Sequence, residues 1–316
     1  VFINKYSLSG ELIDEMSFGG EWQESVFDAF INSNNEIVLM GRSNSTQDDF
    51  AVRSGSHYEV YIAEISLDLT VNDLYIHISA DNVYVNSIIE NGDGNYVFTG
   101  SSYFSGVNAG FIMIVDISTD TIVDYNWITG NSFIDVYQNE DGTYYTTTSI
   151  NEEVYVNGQY LWGSGIVYQF DANLDLIETI NLSSNGITNA YKIVRLSDGV
   201  LYVMGSEMYG AMDRTCLVEL ELEYSGCEYY YTQSNDGIHA YNISTVTSGE
   251  RDYFFGNTYG EELVNGYWSW FNGQFIYISD IAEKVNIIGH SWGGMLASGY
   301  LAQYPEKINK IVLAEP

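Results

Sequence analysis

The stretch Glu90-Asn91-Gly92-Asp93-Gly94-Asn95-Tyr96-Val97-Phe98-Thr99-Gly100-Ser101-Ser102 decides the fold, because it holds one complete phrase and that phrase returns along the chain. A polar turn is followed by an apolar alternating run and then by a small-residue stop. Asn, Asp and Gly suit tight hairpins, where a positive φ or a side chain capping the backbone is needed. Four more copies occur: NSNNEIVLMGRS (32–43), NEDGTYYTTTS (139–149), LSDGVLYVMGSE (196–207) and TSGERDYFFGNT (247–258). Aligned on their stops, Gly41, Gly100, Thr147, Gly205 and Gly256, they recur at steps of 59, 47, 58 and 51 residues.

A second phrase lies between the copies. It reads VFINKYSLSGELI (1–13), YEVYIAEISLDLTV (58–71), GFIMIVDISTDTIV (110–123), GIVYQFDANLDLIE (165–178) and CLVELELEYSGCEY (216–229). Each is a strand-like run, a short turn and a second run. A unit of roughly fifty residues thus holds about four short strands, the size of a propeller blade. A single such sheet cannot bury both its faces, whereas stacked sheets can. The expected fold is mainly β, a β-propeller of about five to six four-stranded blades over residues 1–280. Residues 281–316 are expected as a separate short β-α-β segment. GQFIYISDI (273–281) repeats the pattern of GFIMIVDIS (110–118) and reads as the opening of a sixth unit.

Composition agrees. The 28 Tyr and an aromatic content of 15% favour strands over a disordered acidic chain. Ten Lys and Arg against 43 Asp and Glu give a net charge of −33, which repels nucleic acid and anionic membranes. No run of eighteen apolar residues occurs, so membrane insertion is not expected. Cys216 and Cys227 are read as free thiols or as one disulfide; two cysteines are no framework.

The repeats resemble bacterial secreted β-propeller repeats of the SBBP type. The resemblance rests on Phe2-Ile3-Asn4-Lys5-Tyr6, Ser9-Gly10, Phe18-Gly19-Gly20, Gly41-Arg42-Ser43, Asp93-Gly94 and Gly100-Ser101-Ser102. It implies an extracellular or cell-surface module, usually without assigned catalysis; a binding or structural role is expected, with an unidentified protein or glycan as ligand.

At Lys284 the text changes. Both prolines, Pro305 and Pro316, fall after it, and residues 285–316 carry two basic and two acidic residues. Val285–Ile288 reads as a buried strand, Met295–Tyr304 as a helix and Ile308–Ala314 as a second strand. Between the first strand and the helix stands Gly289-His290-Ser291-Trp292-Gly293-Gly294, which fits G-x-S-x-G in its strand–turn–helix setting. The stretch GHSWGG followed by YPEK resembles the nucleophile-elbow segment of α/β-hydrolases, in particular proline iminopeptidases. That resemblance implies Ser291 as nucleophile, the Trp292 backbone N–H as an oxyanion donor, and Gly289, Gly293 and Gly294 as the glycines that keep the elbow uncrowded.

A serine nucleophile needs a base and a group that orients the base. The residues after Ser291 contain neither His nor Asp, and only Glu306 and Glu315 as acids. His290 adjoins the nucleophile and is read as a packing residue. The segment is therefore expected to be inert as given, with a serine hydrolase as the alternative.

Other sites were weighed against plain structural roles. Asn91-Gly92-Asp93-Gly94-Asn95 looks like a calcium loop but lacks a later bidentate Glu, so turn chemistry is preferred. Asp48-Asp49 and Glu261-Glu262 read as solvated charge. Trp127, Trp162, Trp268 and Trp270 read as blade packing before a ligand face. No Cys/His cluster and no Gly-rich phosphate loop followed by Lys occurs, so neither a metal nor a cofactor is expected.

Overall fold

The computed structural model describes the chain except for residues 7–10, 51–57, 78–82, 105–106, 157–158, 183–186, 197–198, 210–211, 221–228, 231–237, 249–250, 265–266, 279–284, 291–307 and 315–316; side chains are described in stretches up to Leu220. The chain divides into two compact units, Val1–Thr148 with Val167–Ile180, and Ser149–Ile166 with Asn181–Pro316.

The first unit opens with a hairpin, β1 (Phe2–Tyr6) and β2 (Leu12–Ser17). A four-stranded sheet follows: β3 (Glu24–Ile31), β4 (Ile37–Ser43), β5 (Glu59–Ile65) and β6 (Val71–His77). A second comprises β7 (Val83–Glu90), β8 (Tyr96–Phe104), β9 (Val107–Asp116) and β10 (Thr121–Thr129). Both are antiparallel throughout, with strands in chain order. A third sheet is built from β11 (Phe133–Gln138), β12 (Tyr144–Val156), β13 (Gln159–Phe170) and β14 (Leu176–Asn181), and the chain passes between the units within β12, within β13 and at the end of β14.

The second unit holds a four-stranded sheet of β15 (Ile187–Arg195), β16 (Leu201–Tyr209), β17 (Met212–Glu219) and β18 (Tyr229–Tyr230). A three-stranded antiparallel sheet of β19 (Ile238–Ser248), β20 (Arg251–Val264) and β21 (Tyr267–Ile278) follows. Last come β22 (Val285–His290) and β23 (Ile308–Ala314), the parallel pair of the described residues.

The repeat is real, but its phase differs from the expectation. A sheet opens with the strand ahead of the Asn/Asp/Gly turn, and the second phrase supplies its third and fourth strands. The reason is hydrogen bonding. The turns at Asn32–Glu36, Asn91–Asn95, Asn139–Thr143 and Leu196–Val200 all close with the same two backbone bonds, first N–H to fifth C=O and fourth N–H to first C=O. Their fourth residues, Asn35, Gly94, Gly142 and Gly199, all have φ between 65° and 87°. These turns weld the first two strands into one hairpin. So β1 and β2 pair with each other alone among the described residues, and 273–278 lies in β21 as a third strand rather than opening a sixth unit.

The stops have a physical cause. In three successive sheets the first strand bulges beside the stop: between Val26 and Asp28, between Val85 and Ser87, and between Phe133 and Asp135. Opposite Val26, Val85 and Phe133 stand Gly41, Gly100 and Thr148. The equivalent of the glycines is thus Thr148, one residue after the Thr147 of the sequence alignment. A Cβ on Gly41 or Gly100 would collide with the carbonyl oxygen of Ser25 or Tyr84. In the third sheet the same carbonyl, Ser132, instead accepts a 2.7 Å hydrogen bond from Thr148 Oγ1. A bulge that exposes a carbonyl can be met by an absent side chain or by a donor.

The core of the first unit lies between its sheets. Val38, Met40, Val60 and Ile62 of the first sheet pack with Val83, Val85, Ile88, Tyr96, Phe98 and Phe111 of the second. The alternate residues Leu39, Tyr61, Ala63 and Ile65 face the β1–β2 hairpin with Phe18 and Phe50. Each inner strand is therefore buried on both faces, which is why β4 and β5 are nearly continuous apolar runs. The fourth strand β10 alternates between partly buried and exposed positions along its second half.

Candidate functional site

Two regions bear on function. The first is the C-terminal segment. The pairing of β22 with β23 is parallel, with Ile288 opposite Val312, Gly289 opposite Leu313 and His290 opposite Ala314. Parallel neighbours need a crossover of a dozen or more residues, and 291–307 provides that length. Gly289 is the next-to-last residue of β22. Ser291, Trp292, Gly293, Gly294 and the expected helix at 295–304 lie outside the described residues, so the elbow and its oxyanion donor have no described geometry. Of the remaining histidines, His77 ends β6 in the first unit and His239 lies opposite Tyr259 in the second.

The second region is on the sheet of β7–β10. An open hollow of about 460 Å³ is lined by Val83, Phe98, Phe111, Met113, Tyr125 and Trp127, among others. Strand register puts them together. Trp127 pairs with Phe111 and Tyr125 with Met113, while Met113 pairs in turn with Phe98. Residues directly opposite one another share a face of the sheet, so these rows form one surface. The Tyr125 and Trp127 rings lie 5.6 Å apart, and Trp127 is 60% exposed. The blade-packing reading of Trp127 is therefore replaced by an exposed position beside an apolar hollow. Its partners Phe111 and Met113 carry no special sequence signal; only the register reveals them. Trp162, Trp268 and Trp270 fall on β13 and β21, with side chains outside the described set.

The remaining sites resolve simply. Asn91 Oδ1 accepts the N–H groups of Asp93 at 3.0 Å and Asn95 at 2.9 Å, and Asn91 Nδ2 donates to Tyr144 Oη at 3.0 Å. This is turn chemistry, and the Asn91 carboxamide is engaged at both ends. Asp49 Oδ2 accepts from the Gly19 N–H at 2.8 Å, tying the turn at Asp48–Phe50 to the chain after β2. Glu261 and Glu262 lie on β20 opposite Trp270 and Ser269. Cys216 lies on β17 opposite Gly205 and Tyr230, and Cys227 is outside the described residues. Among the described residues no group of three or more His, Cys, Asp or Glu is placed to hold a metal. No described helix is long and apolar enough to cross a membrane.

One acidic joint stands out. Tyr96 Oη, buried between the first two sheets, donates to Glu64 and accepts from Asn32 Nδ2 at 3.0 Å. Burial pushes the Glu64 carboxyl above its ordinary value. The Tyr96 hydrogen bond opposes that shift, and the charges of Glu36, Asp73 and Glu90 add to it. Burial raises the Tyr96 phenol as well.

Comparison with known proteins bears chiefly on the C-terminal segment. Residues 281–316 match the family described as the alpha/beta hydrolase fold. Abhydrolase domain-containing protein abhd-5.2 of Caenorhabditis elegans is 28% identical over 81 residues, 25% of this chain and 17% of that protein. Cis-3-alkyl-4-alkyloxetan-2-one decarboxylase of Shewanella oneidensis is 41% identical over 34 residues, 11% of each. Among solved structures, the polysaccharide lyase Uly1 aligns at TM-score 0.46 and 12% identity, over 79% of this chain and 57% of that one. The Dos1 propeller aligns at TM-score 0.39 and 12% identity, over 85% and 72%. The chain spans 17% and 11% of the length of the curated relatives it matches, and both are relatives of short stretches only.

Proposed function

We propose that residues 1–280 are a secreted or cell-surface β-propeller of about five to six blades that binds a protein or glycan ligand, and that the chain carries a hydrolase-like segment at 281–316 beside it. The observation that carries the binding role is the hollow beside Tyr125 and Trp127. An apolar, aromatic-lined concavity of a few hundred cubic ångströms suits a small ligand or one sugar residue. Supporting the propeller reading are the four-stranded sheets in chain order and the turns that repeat bond for bond. A glycan array probed with the full chain, with Trp127→Ala as control, tests the binding role. Glycan capture lost in the variant supports it; equal capture by both proteins removes the hollow from consideration.

The second reading is a serine hydrolase with Ser291 as nucleophile. It is favoured by G-x-S-x-G at the end of a strand that pairs in parallel with the strand after it. Labelling with a fluorophosphonate probe, with Ser291→Ala as control, decides between them. Labelling at Ser291 means that a base reaches it and puts the hydrolase first. A folded protein that stays unlabelled keeps the binding module.

A further inference from the structure

We propose that Arg42 is a receptor for a carboxylate-bearing ligand, held in an aromatic cage at the joint between the first two sheets. The Arg42 guanidinium lies 4.4 Å from the ring centre of Tyr58, 4.6 Å from that of Tyr84 and 5.3 Å from that of Phe27. Three rings from β3, β7 and the residue before β5 thus fix the position of one cation.

What the described residues do not supply is an acceptor for Arg42 Nε. Among the described residues Arg42 Nε is buried without a hydrogen-bond partner. That is unexpected in a chain with 43 acidic residues and 10 basic ones. Lys5, the other described Lys or Arg side chain of this unit, uses its ammonium on the Leu67 carbonyl at 2.7 Å. A buried N–H left unpaired calls for an explanation, and a guanidinium's natural complement is a planar, bidentate oxyanion. The site lies at the surface, with Phe27 42% and Tyr84 47% exposed and Arg42 itself partly buried.

The ligand class follows from charge and shape. The net charge of −33 penalises a dianion more than a monoanion, so a carboxylate is favoured over phosphate or sulfate. The half-exposed rings favour a carboxylate carried on a flat or apolar body that lies against them. This site is separate from the hollow at Trp127 and does not rest on the function proposed above.

The test uses the full chain, labelled with ¹⁵N, at pH 7 and constant ionic strength. Benzoate is titrated while the arginine Nε–Hε resonances are followed; the Arg42 resonance is the one lost in Arg42→Lys. A saturable shift of that resonance in the millimolar range is expected with benzoate and not with neutral benzamide. Tyr84→Ala or Phe27→Ala should weaken binding at least threefold, and these variants carry the comparison should Arg42→Lys fail to fold. A linear response, an equal response to benzamide, or unchanged affinity in both ring variants would overturn the proposal. A sulfate titration run in parallel decides the ligand class: weaker sulfate binding supports a carboxylate, and equal or tighter binding overturns it.

Discussion

Asn32 Nδ2 donates to Tyr96 Oη at 3.0 Å across the joint between the first two sheets, and Asn91 repeats that bond to Tyr144 at the same distance across the next joint. In both cases the turn of one sheet clasps the first residue of the second strand of the following sheet. A second bond accompanies each clasp: the Ser33 N–H to Glu90 at 2.6 Å, and the Gly92 N–H to Gln138 at 3.0 Å. The equivalent of Tyr96 and Tyr144 in the next sheet is Leu201, which has no hydroxyl.

Tyr96→Phe leaves the buried Asn32 carboxamide without that acceptor. A loss of about 1–2 kcal/mol is expected. Tyr144→Phe should cost a similar amount. Urea denaturation of each variant and of Asn32→Ala/Tyr96→Phe measures the coupling, expected at about 0.5 kcal/mol or more. Additive single effects would mean that the clasp carries no energy of its own.

Gly100→Ala drives a methyl group into the Tyr84 carbonyl oxygen. A backbone neighbour cannot swing away, so about 2–3 kcal/mol of stability should be lost. Gly41→Ala should behave alike against Ser25. Thr148→Val keeps the volume but removes the donor to Ser132, at a cost of about 1–2 kcal/mol. Thermal melts of the three variants check the order. A harmless Gly100→Ala would show that the bulge yields.

Glu64 has a folded pKa raised above its usual value near 4.5, mainly by burial. A carboxyl raised in this way favours folding while it is protonated, and that contribution fades as pH rises from the unfolded value through the folded one. Glu64→Gln retains an acceptor for Tyr96 without the charge. The variant should therefore be more stable than the parent at pH 7 and gain little at pH 4. Denaturation midpoints at both values test this, and an equal gain at both would place the effect elsewhere.

Trp127→Ala should change stability by no more than about 0.5–1 kcal/mol, because the ring is largely exposed. Phe111→Ala, on the adjacent strand and 8% exposed, should cost about 3 kcal/mol or more. If the two losses were equal in denaturant titrations, Trp127 would be a packing residue after all.

Much of this was legible locally. The turn Asn91–Asn95 and its counterparts announce themselves by composition, since few residues accept the backbone they require. The strand–turn–strand text around Ser291 is legible for the same reason, and its two strands do pair in parallel. Less was visible wherever meaning depends on a partner distant in the chain. Arg42 reads as an ordinary residue in Gly41-Arg42-Ser43 until Tyr58 and Tyr84 surround it. Trp127 reads as packing until its register with Phe111 shows which face it is on.

Legible without the structure were the strands, roughly where they turn, and the hydrolase-like stretch that residues 281–316 match. Those features rest on local φ preferences, period-two alternation and a short motif, all encoded within a dozen residues. Tertiary structure decided the phase of the repeat, the true equivalence of Thr148 with Gly41 and Gly100, and the clasps between sheets. The last two depend on hydrogen bonds and steric contacts between residues 16 to 64 positions apart, and such contacts come into being only when the strands pair and the sheets stack.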